Sequence, residues 1–190
     1  MMKHSLLAPA DVCLQVIDVQ EKLMAKIDNA AGVASTVEFM VRCAKIFDIP
    51  IVANTQYIKG LGPYVANLEA LVAGIQRFDK VEFNALANKA TEAFLDGLPK
   101  KVTTIVLVGV ETHICIYQTA MGLLGRGYKV WIVADGVSSR KLADHQAGLS
   151  RLRSLGASIG PAEMLIYELL GKAGTTEFKQ VLPLIINRGD

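Results

Sequence analysis

The sequence predicts an α/β fold: a single domain of three layers, α-β-α, around a mainly parallel sheet of six strands. Three observations carry that prediction. Short apolar runs alternate along the chain with segments whose apolar residues recur every three or four positions, the rhythm of strands joined by crossover helices. The runs are apolar at successive positions rather than alternate ones, as strands covered on both faces read. Finally, 190 residues with 52% hydrophobic and 20% charged side chains suffice for one well-buried core and not comfortably for two.

The first strand is Val12 to Ile17, broken only by Gln15 and stopped by Asp18. An acid at the carboxyl end of a buried parallel strand lies on the edge where such folds place their sites, although helix capping and loop ordering are equally ordinary uses. The following VQEKLMAKI contains no glycine. Backbone therefore cannot approach a pyrophosphate as a dinucleotide fingerprint requires, and no P-loop lysine motif is present. Val33, Val37, Val41, Ala44 and Phe47 predict an amphipathic helix over 30–47, closed by Pro50. Ile51 to Ala53 is the second strand, running into Asn54, Thr55 and Gln56, and the glycine-rich QYIKGLGP reads as a loop at its carboxyl end.

Leu68, Leu71, Val72 and Ile75 give a short helix, and Gln76 to Phe83 a third strand carrying Asp79 and Lys80. By periodicity alone Lys80 is a solvated surface charge. A helix over 91–98 stops before Pro99. The fourth strand, Thr104 to Val108, is bounded by Gly109, and beyond Glu111 the pattern turns helical through Ile116, Ala120 and Leu124. Thr112 is the expected N-cap, which puts Cys115 in the first turn, where the helix dipole and free N–H groups favour thiolate. At this point Cys115 has two readings, an inert core thiol and a nucleophile. GLLGRG closes that helix by C-capping. Val130 to Ala134 is the fifth strand. A helix over 144–155 follows with Asp144 as N-cap, then a last strand over 156–159 and helices over 161–170 and 175–186. If the first and fourth strands are adjacent at a switch point, Asp18 and Cys115 become neighbours.

Several function classes drop out. The formal charge of +2 is small and its basic residues are scattered, which argues against nucleic acid. No apolar run reaches membrane-spanning length. The N-terminal MMKHSLLAPADVCLQV does not read as a signal peptide. Cys13, Cys43 and Cys115 are odd in number and form no CxxC, so reduced cytoplasmic thiols are expected, with Cys13 and Cys43 as core filling.

GVETHIC, Gly109 to Cys115, resembles the nucleophile segment of the isochorismatase-like cysteine hydrolases, which include nicotinamidase and N-carbamoylsarcosine amidase. A DxQ after the first strand (Asp18, Gln20) and a Lys then Phe after the third (Lys80, Phe83) extend the likeness over nearly the whole chain. QYIKGLGP, ADGVSSR and the FKQVLPLI tail look closest to isochorismatase-domain-containing proteins of unassigned substrate. The resemblance implies an Asp18, Lys80 and Cys115 triad that cleaves a small amide-type C–N bond through a thioester. It also implies an oxyanion site made by the N–H groups of Glu111 and Cys115, with a cis peptide between Val110 and Glu111.

Nicotinamidases hold a metal through an Asp-x-His after the second strand and further histidines. This chain has Asn54-Thr55-Gln56 there, and its only histidines are His4, His113 and His145. Amides are poor zinc ligands, so no metal and no cofactor are expected, and substrate orientation falls to Gln20, Gln56, Tyr57 and Phe83. Isochorismatases proper cleave a vinyl ether and lack the cysteine, so Cys115 argues against that reaction. His113, two residues from Cys115 at a helix start, points elsewhere and forms no Cys–His dyad. The expected partners are a small-molecule substrate and further copies of the chain, since the family commonly oligomerises and the apolar tail suits an interface. The alternatives are a non-catalytic interaction protein on the same fold and a thiol redox sensor using Cys115.

Overall fold

A computed structural model describes residues 6–188; His4 and the start of the N-terminal stretch lie outside them. Six strands, β1 (Val12–Ile17), β2 (Ile51–Gln56), β3 (Gln76–Lys80), β4 (Thr104–Val110), β5 (Lys129–Ser138) and β6 (Ser158–Gly160), form one sheet in the order β3-β2-β1-β4-β5-β6. Every pairing in it is parallel. The helices are α1 (Glu21–Met24), α2 (Ala30–Ile46), α3 (Ile58–Leu61), α4 (Ala66–Leu71), α5 (Lys89–Asp96), α6 (Tyr117–Gly125), α7 (Leu142–Ser154), α8 (Ala162–Leu170) and α9 (Thr176–Ile186). The predicted α/β class with a parallel six-stranded sheet is the observed one.

The two-residue period of the strands divides the core. Along β1, Val12, Leu14 and Val16 join Val37 and Val41 of α2, Leu68 of α4, Leu165 of α8 and Val181 of α9. Cys13 and Ile17 face the other way, toward Leu95 of α5, Ile116, Ala120 and Leu123 beside or on α6, and Leu152 of α7. Each fully buried aliphatic side chain contributes roughly 1.5–3 kcal/mol, and β1 and β4 are buried at every position. That is why both read as apolar runs with few interruptions, Gln15 being the polar residue inside β1.

Most departures from the sequence reading lie at element ends. Strands β2, β4 and β5 run past their apolar cores because a neighbouring strand continues the ladder, as at Gln56↔Lys80 and Val110↔Ser138. The QYIKGLGP loop contains the single turn α3. Helix α7 begins at Leu142, so Asp144 lies in its first turn rather than at its cap, where its charge still suits the helix dipole. Thr175 does cap α9, accepting a bond from Phe178 N at 3.0 Å. Among the described residues, no helix is long and apolar enough to cross a membrane.

The strand order reverses between β1 and β4, with β2 and β3 on one side and β5 and β6 on the other. The crevice at that switch point opens at the carboxyl ends of β1 and β4, which are where Asp18 and Cys115 follow.

Burial pushes the thiols of Cys13 and Cys43 up to about 12 from 9.0. A raised folded-state value means that each thiol's stabilising contribution is complete below pH 9 and lost as pH climbs toward 12. Three units correspond to an upper bound of about 4 kcal/mol per thiol. Urea midpoints should therefore hold steady up to pH 9 and fall beyond it, and Cys13→Ala and Cys43→Ala should each flatten the fall. An unchanged alkaline slope in both variants would refute this account.

Candidate active site

Asp18 leaves β1 in the left-handed region, φ 56°, which Asp tolerates better than most side chains. Its N–H donates to Asn54 O at 3.0 Å and its carbonyl accepts from Gln20 N at 2.8 Å, so the strand end is turned and its side chain is wholly buried. Lys80 is the last residue of β3. Its register partner is Gln56 of β2, and cross-strand partners in register project to the same face of a sheet. The expectation of a solvated lysine fails here, since Lys80 is 2% exposed. Its Nζ donates to Asp18 Oδ2 at 2.8 Å and to Gln56 Oε1 at 2.6 Å, and lies 3.8 Å from Cys115 Sγ. A carboxylate balances the ammonium, the usual condition for burying either.

The helix after β4 does not start on a Thr112 cap. Thr112–Ile116 forms a π turn: Ile116 N bonds Glu111 O at 3.2 Å, five residues back, and Tyr117 N bonds Thr112 O over the same interval. Such single π turns recur at functional sites. The Thr112 hydroxyl is taken by His145 Nδ1 at 2.9 Å, which removes it from capping. Cys115 sits in this turn, buried.

The resting thiolate expected from a helix start is not what the site favours. Burial, reinforced by the Asp18 charge and only partly opposed by Lys80, pushes the Cys115 thiol up to about 12. Burial also raises the Asp18 carboxyl, against the pull of Lys80. One cation thus serves two acids that cannot both ionise readily, so carboxylate and thiol titrate as a coupled pair. With one proton between them, the pair rests as carboxylate and thiol. Asp18 Oδ1 is buried with no hydrogen-bond partner among the described residues, and the Cys115 thiol is close enough to pull the carboxyl's pKa down.

The Val110–Glu111 peptide is cis, and the N–H of Glu111 meets no acceptor among the described residues. The Glu111 side chain turns aside: Oε2 accepts from Arg140 N at 2.8 Å and Arg140 Nε at 3.1 Å, tying the loop after β5 to the π turn that holds Cys115. This tie was not read from the sequence, because Glu111 and Arg140 lie on different strand ends and share no spacing. His113 Nδ1 contacts Ser139 Oγ at 2.9 Å and is not paired with Cys115.

The four residues expected to orient substrate separate into two groups. Gln20 is buried and spends its amide on main chain: Oε1 accepts from Gln56 N at 2.7 Å, and Nε2 donates to Gln56 O at 3.1 Å and Gly62 O at 2.8 Å. Both of its amide hydrogens are therefore committed to main chain, and Oε1 carries one bond already. Gln56 likewise holds Lys80 and, through Nε2, Val81 O at 2.9 Å. Tyr57 and Phe83 are exposed, each by 53%. The Asp-x-His position does not fit a metal either. Asn54 Oδ1 accepts from Gln15 and its Nδ2 donates to Thr91, both at 2.8 Å, so its amide, like that of Gln56, is committed to protein.

A model of the isochorismatase domain matches residues 12–164. The secreted isochorismatase effector Isc1 of Phytophthora sojae (strain P6497) is 35% identical over 183 residues, 94% of this chain and 86% of that protein. Isochorismatase domain-containing protein 1 of Salmo salar is also 35% identical and aligns with 94% of this chain, which spans only 62% of that longer protein. Among solved structures, the MAR1 ribonuclease from Caenorhabditis elegans superposes with a TM-score of 0.87 at 34% identity, covering 98% of this chain and 95% of that one.

Proposed function

The chain belongs to the isochorismatase-domain family, whose hydrolase fold supports a hydrolytic role, and from that premise we propose that it is a cysteine hydrolase of a small amide-type C–N bond. The observation that carries the proposal is one buried ammonium in contact with both a buried carboxylate and a thiol. As Cys115 sulfur attacks the carbonyl carbon, its proton passes to Asp18, whose raised pKa makes it a better base, and Lys80 then balances whichever partner is anionic. The carbonyl oxygen becomes an oxyanion facing the N–H groups of Glu111 and Cys115. The tetrahedral adduct collapses, the C–N bond breaks, and Asp18 returns the proton to the departing amine. Water, deprotonated by Asp18, attacks the thioester and releases the acid and the free thiol.

The reading takes 1–190 as one such domain, reduced and cytoplasmic, acting without metal or cofactor on a small molecule rather than nucleic acid. It includes a homo-oligomer, because Met164, Tyr167 and Ile186 lie exposed along one groove between α8 and α9. A thiol raised to about 12 suits a nucleophile relieved of its proton during attack better than a redox sensor, which needs a standing thiolate.

The test is a screen of small amides and ureas for ammonia release, run beside an RNA-cleavage assay, with wild type and Cys115→Ala. Release should fall at least about a thousandfold in the variant. RNA cleavage that survives Cys115→Ala, with no amide hydrolysed, would overturn the reading.

A further inference from the structure

Resting on the proposed nucleophile, we infer that Gln56 is a positioning residue: it fixes the Lys80 ammonium at a point shared by the Asp18 carboxyl and the Cys115 sulfur, and Gln20 fixes Gln56 in turn. An ammonium has three N–H donors and no acceptor. Lys80 Nζ has three neighbours to receive them, Asp18 Oδ2 at 2.8 Å, Gln56 Oε1 at 2.6 Å and Cys115 Sγ at 3.8 Å. The sulfur contact is the weakest of the three. Without the amide, nothing opposes the carboxylate's pull on the ammonium, and the sulfur is the partner that is lost.

The orientation of the Gln56 amide is unique. Lys80 can only donate and Val81 O can only accept, so Oε1 must face the ammonium while Nε2 holds Val81 O at 2.9 Å. The backbone is pinned as well. Gln20 brackets the Gln56 peptide, receiving its N–H at 2.7 Å and donating to its carbonyl at 3.1 Å, as a neighbouring strand would. The Gln56↔Lys80 register then sets the two side chains side by side. A neutral acceptor matters here. With Asp18 ionised and the thiol protonated, the site carries one charge of each sign, and a carboxylate at position 56 would leave it net negative.

Iodoacetamide labelling of Cys115 across pH, read by peptide mass mapping on the full chain, tests this role without a substrate. Because the pair shares one proton, wild-type labelling should rise through the Asp18 titration and then run flat across neutral pH. An isolated thiol would instead climb about tenfold per pH unit. Gln56→Met, of similar length but with only a weakly accepting thioether sulfur in place of the amide oxygen, should lower the plateau about tenfold, equivalent to one pKa unit. Gln56→Glu keeps length and acceptor and adds a charge, so its acid limb should move up by about one pH unit. Circular dichroism melts accompany both variants. If Gln56→Met fails to fold, the limb of Gln56→Glu decides, since a packing role would lower the melting temperature without moving a titration. Variants that fold and superpose on the wild-type profile overturn the positioning role alone. A wild type with no plateau overturns the proposed nucleophile, and this role with it.

Discussion

Lys80→Met should destabilise the protein by about 3–5 kcal/mol near neutral pH, because removing one member of a buried pair leaves the other as an uncompensated charge. Neither side chain of the Lys80–Asp18 pair has solvent access. The loss should shrink on acidification. Burial already raises the Asp18 pKa against the pull of Lys80; without the lysine it rises further, and below it the carboxyl is neutral and the penalty disappears. Asp18→Asn combined with Lys80→Met should recover most of the stability, since the buried charge is then gone and a neutral, well-packed site remains. Urea unfolding of the two singles and the double at neutral and acid pH measures this directly. A double variant less stable than Lys80→Met would mean that the pair is not the source of the loss. The same variants should lose the flat labelling of Cys115, so stability recovers where reactivity does not. That separation is what distinguishes a charge kept for chemistry from one kept for folding.

The sequence carried the two strand-end positions better than the position between them. Asp18 and Cys115 follow apolar runs that can only be buried parallel strands, and the crossover rule brings the ends of such strands to one edge. Their adjacency required one further fact, the reversal of strand order between β1 and β4, which no local pattern encodes. Lys80 was illegible from periodicity because the default for a lysine is solvent, and β3 itself is mostly exposed, with only Lys80 buried among its five residues. The resemblance to a family supplied what the pattern could not.

The protein contacts of the glutamines were hidden for a related reason. Gln20 and Gln56 looked free to meet a substrate so long as the second strand was taken to end at Ala53. Once β2 runs on to Gln56, register alone sets its side chain beside Lys80 and spends the amide. The thiolate expected at a helix start failed on magnitude: a helix terminus contributes roughly 0.3–1 kcal/mol, whereas burial beside an anion carries Cys115 up to about 12. The dipole is the smaller effect, so in the proposed mechanism proton transfer to Asp18 does what the helix start does not.

Gly109→Ala should be the most damaging of the glycine substitutions, costing about 4 kcal/mol or more, or preventing folding. Two independent effects coincide there. The backbone has φ +114°, which L side chains rarely adopt, and a Cβ would lie 1.9 Å from Ile17 O and within 2.9 Å of Ile17 C and N. Those atoms are strand backbone and cannot swing away as a flexible side chain does. Gly109 pairs with Ile17 across the β4–β1 junction, one residue before Asp18 and two before Glu111. The close approach of the two strands is therefore also what sets the Asp18 carboxylate against the turn that holds Cys115. Gly125→Ala is the matched control: it lies in α6 with nothing within 4 Å of its Cβ, and should be neutral or stabilising by about 0.5–1 kcal/mol. Thermal melts of both, with Cys115 labelling of any folded Gly109→Ala, make the comparison. A Gly109→Ala protein that melts like wild type would show that β1 and β4 can separate without loss. The edge that holds Asp18 to Cys115 would then owe nothing to the absent side chain.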